Sequence, residues 1–299
     1  MFLFKPSTRA FTREARKIKG FTLAHWLHGY LYLAFPYAYI GNGVGARRPM
    51  RAFRWLERHY RRLFHRPDDG SAGIAFAHAY HGKVVPLETA KKLVQIDQPV
   101  SVSYPEQVIP YKTARDLILQ GSDPIVLLDC PCRVARKDPC LPLDVCLIVG
   151  EPFAGMVIEH HPRRSRRIER AEALDVLEAE ERRGHVHHAF FKDAMLGRFY
   201  AICNCCSCCC GAMQAQRAGA PMLASSGYLS VRDAELCKNC GACAEVCQFD
   251  AIQRVDGRMQ VDEALCMGCG VCVSRCEHGA LQLVLAPEKG VPMEVVDSI

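Results

Sequence analysis

The cysteine spacing near the C-terminus constrains the fold more than any other feature of this 299-residue sequence. The strings CKNCGACAEVCQFDAI (237–252) and CMGCGVCVSRCEHGAL (266–281) superpose with a period of 29 residues. Each follows the pattern C-x2-C-x2-C-x3-C, in which three thiolates wrap one iron–sulfur cube and the fourth ligates the other cube. The repeat therefore predicts two [4Fe–4S] clusters. One would be bound by Cys237, Cys240, Cys243 and Cys276, and the other by Cys266, Cys269, Cys272 and Cys247.

Zinc is the alternative occupant, because Cys-x2-Cys pairs also bind this ion. Two tandem copies of four cysteines at this spacing favour iron–sulfur clusters instead. Gly241, Gly268 and Gly270 suit loops in which the backbone must approach sulfide closely and donate N–H groups.

Residues 230–285 resemble a bacterial-type ferredoxin domain with two [4Fe–4S] clusters, built as a pseudo-symmetric pair of βαβ-like halves. Such domains usually carry proline after the fourth cysteine of each repeat, whereas Gln248 and Glu277 stand there in this sequence. The proline is not a ligand, so the departure concerns the rigidity of the turn and the potential. The resemblance implies one-electron transfer at low potential.

Ten of the eighteen cysteines lie outside this repeat, in two groups. CPCRVARKDPCLPLDVC (130–146) follows one predicted strand, and CNCCSCCC (203–210) follows another. Both groups are candidate metal ligands. They comprise Cys130, Cys132, Cys140 and Cys146 in the first group and Cys203, Cys205, Cys206, Cys208, Cys209 and Cys210 in the second.

Three interpretations of these ten cysteines compete. They could hold one or two further iron–sulfur clusters, and adjacent cysteines such as Cys205 and Cys206 suit two centres better than one because their side chains point apart. They could instead bind Zn(II) or Cu(I), since soft thiolates select these metals. In the third interpretation some thiols react themselves, as a redox dithiol or at an open cluster site.

Residues 70–299 as a whole resemble a group of uncharacterised prokaryotic 4Fe–4S binding proteins. These share a CPCR…PLDVC element, a CNCC-x-CCC element and a C-terminal ferredoxin domain. The resemblance implies a type of cofactor and no particular reaction. Arg133, Arg136 and Lys137 stand beside Cys132, where positive charge would lower thiolate pKa values and raise a cluster potential, unless this is an ordinary solvent-facing loop.

The clustering of the cysteines also bears on the cellular compartment. Cysteines packed three or more to a run cannot all pair at disulfide geometry with distant partners, and the basic N-terminus lacks a convincing export signal. We therefore expect a cytoplasmic protein.

Charge is distributed unevenly along the chain. Residues 1–66 carry a local net charge of +12, and residues 228–299 carry −5. Residues 20–46 contain no Asp, Glu, Lys or Arg, but histidines, Gly29 and Pro36 interrupt the run, so we expect it to pack into the protein's own core rather than to span a bilayer. The basic helical pattern at 47–64 could contact a membrane surface, an RNA or the acidic C-terminal segment, or be an ordinary solvated helix.

Local patterns predict elements between these ends. Residues 88–96 and 111–119 are predicted as helices, and 124–130 and 144–150 as strands. A helix is predicted to end at Gly184, followed by a hairpin that leads into the cysteine octad at 203–210. His160, His161, His185, His187 and His188 lie near the octad in sequence and are interpreted as surface or hairpin residues rather than ligands.

These observations predict an α+β protein with three parts. A basic, aromatic-rich N-terminal segment (1–66) precedes a cysteine-rich α/β domain (67–227) and a two-cluster ferredoxin domain (228–299). The leading hypothesis is electron transfer through two [4Fe–4S] clusters to a further cysteine-rich redox centre that holds one or two additional iron–sulfur clusters. We expect a redox partner protein, allow a membrane-surface contact through 1–66, and expect no nucleic acid.

Two alternatives remain open at this point. The cysteine-rich centre could itself be the active site of a reductase acting on a small substrate. The chain could also carry clusters to an apo-enzyme as a maturation protein.

Overall fold

The computed structural model describes residues 5–43, 80–96, 100–104, 115–119 and 123–293. Its helices are α1 (Pro6–Arg16), α2 (Leu23–Ala34), α3 (Pro36–Gly43), α4 (Leu87–Val94), α5 (Pro131–Val134), α6 (Phe153–His160), α7 (Arg170–Arg182), α8 (Gly211–Arg217), α9 (Ala242–Glu245) and α10 (Val271–Arg275). Its strands are β1 (Tyr80–Val85), β2 (Val100–Tyr104), β3 (Arg115–Leu119), β4 (Ile125–Asp129), β5 (Asp144–Val149), β6 (Ser165–Ile168), β7 (Val186–Lys192), β8 (Arg198–Cys205), β9 (Leu223–Ala224), β10 (Tyr228–Arg232), β11 (Ile252–Val255), β12 (Arg258–Val261) and β13 (Leu281–Leu285).

A seven-stranded sheet lies at the centre of the cysteine-rich part, in the order β6-β4-β5-β8-β7-β1-β9. Every neighbouring pair is antiparallel except β1 and β9, which run parallel. Helices cover a largely antiparallel sheet, so the described chain is α+β, in agreement with the sequence.

The two faces of this sheet bury different side chains, because successive residues of a strand point to opposite faces. On β4, Val126 and Leu128 belong to one core, whereas Ile125 and Leu127 belong to the other. Helices α1, α2 and α6 contribute to the first core, and α4 and α7 contribute to the second. The first face also carries three cysteines of β5 and β8, namely Cys146, Cys203 and Cys205.

The N-terminal helices pack on the cysteine-rich part. Phe11 and Leu33 are buried in the first core, and the Tyr37 hydroxyl donates to the carbonyl oxygen of Asp129 at 3.0 Å. The expectation that residues 21–43 pack into the protein's own core is therefore confirmed for one side of α2, where Tyr30, Leu33 and Ala34 are buried. The other side is exposed, at Leu23, Leu27, Leu31 and Phe35. No helix within the described ranges combines the length and the apolar character needed to cross a membrane. The pattern at 47–64 lies outside those ranges.

The C-terminal part repeats its backbone as well as its sequence. Strands β10 and β13 pair, as do β11 and β12. Asp233 accepts the amide of Glu235 at 2.8 Å, and 29 residues later Asp262 accepts the amide of Ala264 at 2.9 Å. Left-handed backbone conformations recur at the same interval, at Asn239 and Gly268, Gly241 and Gly270, and Asp250 and Gly279. The two repeats are thus structurally equivalent halves.

The local predictions had mixed outcomes. The helix at 88–96, the two strands and the hairpin β7–β8 are confirmed. The helix predicted over 111–119 is wrong for residues 115–119, which form β3 and pair with β2. The helix ending at Gly184 is confirmed as α7, but the preceding Ser165–Ile168 forms β6 at the sheet edge. The Gly/Ala/Ser-rich connection at 211–227 contains α8 and β9.

Candidate metal centres

Two cavities in the C-terminal part are each lined by four cysteines. Each combines three cysteines of one repeat with the last cysteine of the other. The first is lined by Cys237, Cys240, Cys243 and Cys276, and the second by Cys247, Cys266, Cys269 and Cys272. The side chains are therefore grouped as a pair of cross-ligated iron–sulfur clusters requires.

Backbone N–H groups point at the two crossing cysteines. The Ala251 amide donates to Cys247 Sγ at 3.3 Å, and the Ala280 amide donates to Cys276 Sγ at 3.3 Å. Gly241 and Gly270 precede α9 and α10 with φ of 95° and 88°, values that a side chain would disfavour. Such N–H···S contacts are among the means by which a protein tunes a cluster potential. The donor set therefore fits iron–sulfur clusters.

Residues 229–280 match the family model of the 4Fe–4S dicluster domain. The chain thus contains an iron–sulfur domain of this class, and the match includes all eight cysteines of the internal repeat. A comparison with curated proteins returned no match.

Six of the other cysteines line one cavity and form a ring of thiols: Cys130, Cys132, Cys210, Cys205, Cys203 and Cys146. In this order, and back to Cys130, neighbouring thiols shift each other's pKa. Cys206 and Cys209 line the same cavity. Tyr32 and Leu33 of α2 and Pro36 of α3 line the same cavity, so the N-terminal helices cover the ring.

The ring forms because strands and turns place its members on one face. Cys203 and Cys205 are two residues apart on β8, so they share a face of the sheet. Cys146 lies on the neighbouring β5, since Leu147 pairs with Ile202. Cys130 and Cys132 flank the start of α5 at the end of β4, and the Gly211 amide donates to Cys132 Sγ at 3.5 Å.

The ring thiols differ in acidity because each shares its proton with neighbours. The contact with Cys132 raises the pKa of Cys130 to about 12. Contacts with Cys146 and Cys205 lower the pKa of Cys203 to about 6, and contacts with Cys132 and Cys205 lower that of Cys210 well below its usual range. Cys203 and Cys210 are therefore the most acidic thiols of the ring. Metal binding would release the protons of the other ring thiols.

The remaining four cysteines form a second, tighter group. The Sγ atoms of Cys140, Cys206, Cys208 and Cys209 all lie within 4.8 Å of one another. The Cys140–Cys208 sulfur distance is 3.1 Å, and the Cys208–Cys209 distance is 3.5 Å. The adjacent residues Cys205 and Cys206 belong to different groups, as the sequence predicts for side chains that point apart.

Arg133 is buried beside the ring and does not lie in a solvent-facing loop. Its side chain is 1% exposed, and its guanidinium donates to Glu180 Oε2 at 2.7 Å and to the Asn204 carbonyl oxygen at 3.1 Å. Burial raises the pKa of Glu180, but hydrogen bonds from His185 and Arg133 hold it below its usual value. The positive charge near Cys132 is thus balanced by a buried carboxylate. Lys137 is exposed.

Arg136 also contacts the octad. Its guanidinium donates to the Cys209 carbonyl oxygen at 2.9 Å and to Gln214 Oε1 at 2.6 Å. This arginine therefore links α5 to the turn that carries the second group of cysteines.

The histidines lie close to the site but make other contacts. His185 Nδ1 lies 2.6 Å from Glu180 Oε2, and His187 Nδ1 lies 2.6 Å from Asn204 Oδ1. His160 contacts Thr8, and His161 contacts the Leu33 carbonyl oxygen. His187 and His188 lie on β7 of the hairpin, as expected, but His185, His187 and His188 are buried and not at the surface.

Side chains that the sequence did not single out connect the two parts of the molecule. The Ser274 hydroxyl of α10 donates to Glu181 Oε1 at 2.5 Å, and Glu181 Oε2 lies 3.1 Å from His187 Nε2. Gln248, next to Cys247, accepts the Ser207 amide at 2.8 Å and donates to the Gly184 carbonyl oxygen at 2.9 Å. The only sequence signal for any of these contacts was the absence of the usual proline at position 248.

Proposed function

We propose that this chain is an iron–sulfur electron-transfer protein in which two [4Fe–4S] clusters of the dicluster domain serve a further centre at the cysteine ring. The first cluster would be held by Cys237, Cys240, Cys243 and Cys276. The second would be held by Cys266, Cys269, Cys272 and Cys247. When bound, such clusters accept and donate single electrons.

The exposure of the thiols supports electron transfer from the first set, through the second set, to the ring. Cys240 of the first set is exposed, whereas Cys266 and Cys272 of the second set are buried. In the ring, Cys130, Cys146, Cys205 and Cys210 are buried. The first set is therefore the one that a soluble partner could approach, and the ring lies deepest.

The contact between Gln248 and Ser207 carries the proposal. It joins the residue after Cys247, a thiol of the second set, to Ser207 through one hydrogen bond of 2.8 Å. Ser207 lies in the turn between the ring cysteines Cys205 and Cys210, next to Cys206 and Cys208 of the second group. Phe249 and Met267 pack against the core that contains the ring, and Cys247 packs with Phe249 in the dicluster core. The second set and the ring thus face each other across packed side chains rather than across solvent.

The chain's own residues would keep the ring dry and fixed. Tyr32, Leu33 and Pro36 cover its cavity, and the buried pair of Arg133 and Glu180 holds α5 against α7. Exclusion of water strengthens each electrostatic contact on the thiolates.

A basic redox partner suits the outer surface. Residues 228–299 carry six basic and eleven acidic residues. Complementary charge of this kind steers association more than it adds affinity. We therefore propose that the partner docks near the exposed first set, and that its binding weakens as ionic strength rises.

Electron uptake by the full chain, prepared anaerobically, tests the proposal. The dicluster domain alone accounts for about eight irons per chain, and occupation of the ring raises the count above that. Coulometric reduction should take up more electrons in the wild type than in the ring variant Cys203→Ser. Serine is similar in size to cysteine, so the variant removes one thiolate with little change in packing.

The dicluster variant Cys240→Ser is the matched control, because it changes an exposed thiol far from the ring in sequence. It should lower uptake through loss of the first set alone. Equal uptake by the wild type and Cys203→Ser, although the variant loses iron, would show that the ring holds metal but takes no electrons, and the proposal would fail.

A further inference from the structure

The ten cysteines outside the dicluster domain differ in their spacing. The ring thiols line a cavity, and no three of them lie within 4.8 Å of one another. In the second group every sulfur lies within 4.8 Å of the other three. Among the described residues, this is the only set of three or more His, Cys, Asp or Glu ligand atoms that is so close.

The dicluster cysteines provide an internal standard for this comparison. All eight belong to the described residues, yet in neither set do three or more Sγ atoms lie within 4.8 Å of one another. In a cube each thiolate binds its own iron, so the four sulfurs stand well apart. Four thiolates that share one ion at about 2.3 Å are separated by about 3.8 Å along each edge of the tetrahedron. The sulfur–sulfur distances in the second group match those expected around a single ion.

We propose that Cys140, Cys206, Cys208 and Cys209 bind one metal ion in a closed tetrathiolate site that is separate from the centre at the ring. Four thiolates in a tetrahedron select zinc or a single iron among the common metals. The ring then holds its own centre with six thiols. The inference rests on the proposed metal-binding role of these cysteines, but it does not depend on electron transfer.

Local contacts fit this site. The Cys140 amide donates to Cys209 Sγ at 3.5 Å, which is the kind of N–H···S bond that supports a bound thiolate. Arg136 holds the Cys209 carbonyl oxygen from the other side of the turn. Cys208 is exposed, so an ion can enter from solvent.

The position of the site suggests what the ion does. Cys140 lies in the irregular segment between α5 and β5, while the other three lie in the turn after β8, more than sixty residues away. One ion would fasten these two segments together. The first segment is flanked by ring cysteines, Cys132 on α5 and Cys146 on β5, and Cys206 and Cys209 of the second segment line the ring cavity. The ion would therefore fix the edge of the ring.

Metal and acid-labile sulfide, counted together on anaerobically prepared full-length protein, test the proposal. A cube contains as many irons as sulfides, whereas a mononuclear site contains metal and no sulfide. The wild type should therefore show one metal ion per chain beyond its sulfide content. The variant Cys140→Ser should lose this one ion while its sulfide stays unchanged.

The ring variant Cys146→Ser is the matched control and should lose several irons together with sulfide. A wild-type metal content equal to the sulfide would overturn the proposal without any variant having to fold. Loss of sulfide in Cys140→Ser would overturn it as well, and so would a disulfide between Cys140 and Cys208 in the anaerobic protein. If coulometry shows no electron uptake at the ring, the proposed function fails. One metal ion in excess of sulfide would still support the tetrathiolate site.

Discussion

Gln248 accepts a hydrogen bond from the backbone amide of Ser207, with 2.8 Å between the amide nitrogen and Oε1. The same side-chain amide donates to the Gly184 carbonyl oxygen at the end of α7. One residue of the dicluster domain therefore links the octad to the helix that carries Glu180 and Glu181. A proline at this position would stiffen the turn after Cys247 but could make neither contact.

The variant Gln248→Ala should loosen the dicluster domain from the cysteine-rich part. Loss of its partner costs a buried backbone group about 1–3 kcal/mol, and the Ser207 amide is partly buried, so the lower end of this range applies. The Ser207 amide should therefore exchange with deuterium at least about threefold faster. Hydrogen-exchange mass spectrometry of peptides that span 203–210 measures the effect. Position 277 is the equivalent residue of the second repeat, and Glu277 is exposed. Glu277→Ala should leave exchange at 203–210 unchanged, and equal acceleration by both variants would count against a specific link.

The buried pair of Arg133 and Glu180 predicts a stability effect that is separate from ligation. Removal of one partner of such a pair costs about 3–5 kcal/mol because the other charge stays buried. We therefore expect Arg133→Met to lower the thermal midpoint of the anaerobic protein by several degrees, and Arg133→Met with Glu180→Leu to recover part of the loss. Arg163→Met, at an exposed position of the same part, is the control. A double variant less stable than Arg133→Met alone would contradict the pairing argument.

The sequence predicted those parts of the molecule that depend on local spacing. The C-x2-C-x2-C-x3-C repeat predicted which cysteines line each dicluster cavity, and β-branched runs predicted β4 and β5. The segment at 115–119 was assigned the wrong element because its short apolar run, Leu117 to Leu119, fits a helix or a strand equally well, and its pairing with β2 decides for the strand.

The arrangement of the ten remaining cysteines could not be predicted from spacing alone. Cys206 groups with Cys140 and not with Cys205 for two reasons. Strand β8 ends at Cys205, and the fold brings Cys140 into contact with Cys208, which lies 68 residues further along the chain. The burial of Glu180 and Glu181 could not be predicted from the sequence either. They stand in a charged run that is typical of a solvated helix, yet both are buried, because the end of α7 lies between β7 and α10.

Two histidines of the N-terminal packing predict a dependence of stability on pH. Burial, with help from nearby positive charge, lowers the pKa of His28 and of His160 to about 4. The unfolded state binds protons at these residues from about pH 6.5 downwards, so their contribution is complete above that pH and is lost as pH falls towards 4. His160→Gln should therefore flatten the decline of stability between pH 6.5 and 4.5. Limited proteolysis of residues 5–43 across this range measures it, with His278→Gln as an exposed control. A steeper decline in His160→Gln would refute the assignment.

The proposed cross-ligation of the dicluster domain predicts which cysteines lose protection when a crossing thiol is removed. Cys276 lines the cavity of Cys237, Cys240 and Cys243, although it belongs to the second repeat. Cys276→Ser should therefore expose those three thiols to anaerobic alkylation and release about four irons, while Cys266, Cys269 and Cys272 stay protected. Cys247→Ser is the matched control, because it removes the other crossing thiol and should give the opposite pattern. Peptide mass spectrometry after alkylation reads both patterns in one experiment. Alkylation of Cys266, Cys269 and Cys272 in Cys276→Ser, with the first three thiols protected, would mean that each repeat binds its own cluster.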